Sequence, residues 1–64
     1  MIRLEITTSG AAFDGAPASE VARVLDMLAR RIRADLIVPG DDRPIYDING
    51  ARCGAIEWTL DDDD

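Results

Sequence analysis

The run Pro44-Ile45-Tyr46-Asp47-Ile48-Asn49-Gly50-Ala51-Arg52-Cys53-Gly54-Ala55-Ile56-Glu57-Trp58 sets two strand-like segments on either side of Asn49-Gly50. Both central positions of a type I′ turn need positive φ, which Asn and Gly tolerate, so the run predicts a β-hairpin. With Asn49-Gly50 as a two-residue loop, Ile48 opposes Ala51, Asp47 opposes Arg52 and Tyr46 opposes Cys53. That register makes Asp47–Arg52 an ion pair on the outer face and turns Tyr46, Ile48 and Cys53 inward. Ile56, Trp58 and Leu60 have the opposite parity to Cys53, so strict alternation cannot bury both sets. One extra residue near Gly54, a β-bulge, reconciles them.

Working towards the N-terminus, Asp41 and Asp42 belong to a loop opened by Pro39-Gly40. Before it, Val21, Val24, Leu25, Leu28 and Ile32 recur at helical spacing and predict a helix from about Pro17 to Ala34 with an apolar stripe. Pro17 suits the first helical turn; Glu20 suits the positive end of the helix dipole, and Arg30, Arg31 and Arg33 the negative end. On the opposite side, Arg23–Asp26 and Asp26–Arg30 are spaced to pair. Ile2, Leu4 and Ile6 alternate with Arg3, Glu5 and Thr7, the pattern of a half-buried strand. Phe13, the only phenylalanine, is expected in the core. The fold class is therefore α+β, a βαββ chain. Its three-stranded antiparallel sheet has the last strand central and the main helix packed on one face. Residues 1–60 form one compact domain, and 61–64 are expected to be an acidic disordered tail.

Sixty-four residues sit near the lower limit for unaided folding and leave no room for a deep cleft beside the core. There is no His, no Lys and one Cys, so no imidazole is present to activate a nucleophile. Tetrahedral zinc lacks its ligands and an internal disulfide is excluded. The expectation is a protein that is not an enzyme, with no catalytic residue, no metal and no cofactor. Cys53 is expected as a small core residue rather than a reactive thiol, and Trp58 as core. No long apolar run marks a membrane span. The expected location is a reducing cytoplasm.

The net charge is -6, but the four Asp of residues 61–64 carry most of it. Without them nine acids face seven Arg, a net of -2. The open sheet face should present Arg3, Glu5, Thr7, Asp47, Arg52, Glu57 and Thr59, flanked by Asp41 and Asp42. Glu5, Asp41, Asp42, Asp47 and Glu57 are the candidate partner-binding residues, a negatively biased surface suited to a basic groove on a protein. Direct nucleic-acid binding is disfavoured, because the arginines are outnumbered.

Three segments together carry a resemblance: Ile2, Leu4 and Ile6 followed by Thr7-Thr8-Ser9-Gly10-Ala11-Ala12-Phe13-Asp14; Pro17-x-x-Glu20-Val21-Ala22-Arg23-Val24-Leu25; and Asp47-Ile48-Asn49-Gly50 with Gly54 and Trp58. The chain resembles a family of small proteins encoded by phages and prophages of proteobacteria, and is similar to anti-CRISPR proteins acting on type I systems. Cys53 departs from the aliphatic residue expected there, as does the acidic tail. The resemblance implies an inhibitor in the cytoplasm of a bacterial host that binds a CRISPR effector subunit through its basic DNA-binding surface and blocks target DNA. A phage regulatory or accessory module binding an unknown protein through Arg23, Arg30 and Arg33 is the alternative. An unprotected strand edge leaves the chain a monomer or a weak homodimer.

Overall fold

A computed structural model describes residues 1–60. The expected tail, residues 61–64, lies outside the described residues. In chain order the elements are β1 (Ile2–Ile6), a short 3-10 turn (Ala11–Phe13), α1 (Pro17–Arg33), β2 (Asp42–Tyr46) and β3 (Arg52–Trp58). The sheet is antiparallel with order β1-β3-β2, so the last strand is central, as the sequence predicts.

The helix lies across the β2–β3 half of the sheet. Its first turn reaches the hairpin, where the Glu20 carboxylate accepts the Ile48 N–H at 2.9 Å. Its last turn approaches the start of β2, where Arg31, Leu36, Ile37, Arg43 and Pro44 line one cleft. The core between the two layers is Phe13, Val24, Leu28, Ile37, Ile45, Cys53 and Ile56. Ile45 and Val24 are fully enclosed, and each such aliphatic side chain stabilises the fold by roughly 1.5–3 kcal/mol.

The predicted helical stripe is rotated in the structure. Leu25 is exposed, while Glu20, Val24 and Leu28, at four-residue steps, form the buried line. The buried arc thus lies to the Glu20 side of the predicted stripe, and a carboxylate has joined the inner face. The expected Arg23–Asp26 pair does not form; Arg23 turns back to Glu20. At the C-terminal end Asp35 takes φ +60°, its N–H bonds the Ile32 carbonyl, and the Leu36 N–H bonds that of Arg31. This is a Schellman stop with Asp at the left-handed position that Gly usually fills.

The hairpin register is shifted by one residue from the prediction. Tyr46 opposes Arg52, and the Asp47 N–H bonds the Ala51 carbonyl at 2.8 Å. The loop is therefore Ile48-Asn49-Gly50, with Gly50 at φ +83°. A three-residue loop closed by a left-handed Gly is an alternative to the two-residue turn. The reason it wins here is Asp47: its Oδ1 accepts the N–H groups of Asn49 and Ala51 at 2.9 and 3.0 Å, organising the turn from inside. Tyr46 and Ile48, expected inward, are exposed, and Asp47, expected outward, is buried. No Asp47–Arg52 pair forms.

The β-bulge falls where parity demands it. Ile45 faces Gly54 and Tyr46 faces Arg52, leaving Cys53 as the extra residue. Cys53 and Ile56 both point into the core as a result, Trp58 is partly buried, and Leu60 is exposed. Gly54 is required for a second reason. A Cβ there would stand 1.8 Å from the Glu5 carbonyl oxygen, so β1 can approach β3 only over bare backbone. Of the β1 side chains on the helix side, Ile6 packs against the core, but Ile2 is 47% and Leu4 38% exposed.

Candidate interaction surface

Cross-strand register decides which side chains share the open face. Arg3, Glu57 and Asp42 form one row across all three strands, and Glu5, Ala55 and Pro44 form the next. Arg3, Glu5, Asp42, Arg52, Ala55 and Glu57 line a shallow depression there. Within the first row, Arg3 Nη1 sits 3.6 Å from Glu57 Oε1, both well exposed, a pair that stabilises by no more than about 1 kcal/mol. Asp42 opposes Glu57 directly on the other side and makes no ion pair among the described residues. Two carboxylates in direct cross-strand opposition destabilise a sheet.

The five carboxylates expected as one surface thus divide. Glu5, Asp42 and Glu57 are on the open face. Asp41 is a loop residue whose Oδ2 accepts the Val38 N–H at 3.1 Å and pairs with Arg43 Nη2 at 3.3 Å. Asp47 is buried inside the hairpin turn and has no free face to offer. Arg52 is exposed at the far end, its Nε donating to the Gly54 carbonyl at 3.3 Å.

One polar cluster escaped the sequence reading. Arg23 Nε and Nη2 donate to the two oxygens of Glu20 at 2.9 and 2.8 Å, and Glu20 Oε2 also takes the Ile48 N–H. The bidentate Arg23 contact, with the Ile48 bond helping, holds the Glu20 carboxyl below its usual range against the opposing effect of burial. The same contact raises the Arg23 pKa. The signal was present: Glu20 precedes Val24 and Leu28 by four and eight residues, so it belongs to the buried arc, and a buried carboxylate requires partners. Burial, with Asp47 and Glu20 nearby, raises the Cys53 thiol pKa, which keeps it protonated and unreactive at neutral pH.

Among the described residues no three His, Cys, Asp or Glu side chains cluster to hold a metal. None of the described helices is long and apolar enough to cross a membrane. Comparison of the chain with protein-family models, curated proteins and solved structures finds no match.

Proposed function

We propose that the chain is a non-enzymatic binding protein whose open sheet face docks on a basic surface of another protein. The observation that carries this reading is the Asp42–Glu57 opposition. Two like charges face each other across β2 and β3, and among the described residues Glu57 makes an ion pair, with Arg3, while Asp42 makes none. Such an arrangement is unfavourable in the free domain and is relieved when a Lys or Arg of a partner sits between the two. With Asp41 and Asp47 engaged internally, the contact is a local one fitted by shape. It is not a long imitation of a phosphate backbone.

The partner follows from the resemblance of the sequence to phage anti-CRISPR proteins: a type I CRISPR effector subunit, whose DNA-binding groove the bound domain obstructs. The test is capture of the effector from a host with an active type I system, paired with plating of a targeted phage. Asp42→Arg is expected to weaken capture at least about tenfold and to abolish phage rescue while the domain stays folded. Absence of both capture and rescue by the parent chain would sink the assignment. The alternative docking face, Arg23 with Arg30 and Arg33, is weakened because Arg23 is committed to Glu20.

A further inference from the structure

The sheet has two outer strands, and only one is guarded. Trp58 N–H bonds the Asp41 carbonyl, and Arg43 and Ile45 oppose Ile56 and Gly54. By antiparallel alternation, Asp42, Pro44 and Tyr46 turn their backbone groups to the outside. Pro44 stands in the middle of that row without an N–H, which blunts the β2 edge against strand addition. On the other side, Thr59 N–H bonds the Met1 carbonyl and Thr7 N–H the Cys53 carbonyl, so the odd residues of β1 face β3. Ile2, Leu4 and Ile6 therefore present an unbroken row of N–H and C=O groups outward.

The side chains of β1 match this row. Ile2 and Leu4 lie on the helix side yet remain 47% and 38% exposed. Leu25 on α1 is likewise 42% exposed. On the open face the strand carries one cation and one anion, Arg3 and Glu5.

We propose that β1 pairs with β1 of a second copy of this chain, antiparallel about a two-fold axis at Leu4, joining two three-stranded sheets into one of six. This register sets Leu4 against Leu4 and Ile2 against Ile6, each exchanging backbone hydrogen bonds, and sets Arg3 of each copy opposite Glu5 of the other. Shifting by two residues either way sets Arg3 against Arg3 or Glu5 against Glu5. Charge complementarity thus selects one register, and the apolar strip beneath is covered by its own counterpart.

Sedimentation equilibrium of the purified chain, followed over a wide concentration range, is expected to show a monomer–dimer equilibrium. Arg3→Glu and Glu5→Arg should each weaken it about tenfold, and the double variant should return to within about threefold of the parent. Leu4→Lys, at a site already exposed in the monomer, should abolish dimerisation while the thermal melt stays cooperative. That variant keeps the test open if Arg3→Glu fails to fold. Asp42→Arg, the variant that tests the docking face, should leave self-association unchanged. A parent chain that stays monomeric throughout, leaving the edge to a strand of some other protein, would overturn the proposal. So would unaltered association in both single variants, or a double variant weaker than either.

Discussion

β3 has a neighbour on each side, and the two are held in different ways. β2 is joined to it by a three-residue loop, roofed by α1, and tied to the helix through Glu20, Arg23 and the Ile48 N–H. β1 is joined by sheet hydrogen bonds and by a seam so close that only Gly54 admits it. Its apolar side chains gain little cover from the helix. The same antiparallel pairing is thus backed by enclosed core side chains on one side, and on the other mainly by backbone approach, with Ile6 the one β1 side chain packed on the core.

Gly54→Ala attacks the β1 seam and should have the largest effect. The added methyl overlaps the Glu5 carbonyl, so β1 must shift; destabilisation on the order of 3 kcal/mol or more is expected. A chain of this size is stable by roughly 3–10 kcal/mol, so urea unfolding should show most of the margin gone. Ile45→Ala, in the enclosed β2 side, should remove about 3 kcal/mol, read as a lower denaturation midpoint with little change in slope. Leu4→Ala, on the same sheet face but on β1 and partly exposed, should remove only about 1 kcal/mol. Equal losses from Ile45 and Leu4 would erase the contrast.

Acid sharpens it further. Glu20 titrates below its ordinary value of 4.5 in the folded chain, so its contribution is complete above that value and is lost as pH falls through the lower folded value. Hydrogen exchange at acid pH should therefore open the Ile48 amide and the first turn of α1 before the β1–β3 amides. In Glu20→Gln that early opening should already be present at neutral pH. The smallest effect concerns the far end of the helix. Asp35→Gly relieves a left-handed Asp and should raise stability by about 0.5 kcal/mol, seen as a slight increase in Tm.

The strands, the helix, its ends and the order of the sheet were legible because each leaves a periodic or terminal mark. The bulge was legible too, from the parity conflict between Cys53 and Ile56. The hairpin register was not, since Asn49-Gly50 serves a two-residue and a three-residue loop equally. The choice was made by Asp47, whose carboxylate folds back onto Asn49 and Ala51. That one step moved Tyr46 and Ile48 outward and withdrew Asp47 from the candidate surface. Glu20 does lie in the first turn of α1, as the dipole argument expects, but that argument is silent on its facing, and only its four-residue spacing to Val24 and Leu28 marks it as inward. Glu5 and Glu57 were read correctly, because they sit on strands whose alternation leaves no second choice; Asp42, expected in the loop beside the face, instead opens β2 and joins it.

The strand order carries a consequence in time. β2 and β3 are separated by five residues and can zip locally within microseconds. Arg3 must find Glu57 across nearly the whole chain, so β1 closes a large loop before any of its bonds can form. Docking of β1 is then the step that limits the rate of assembly.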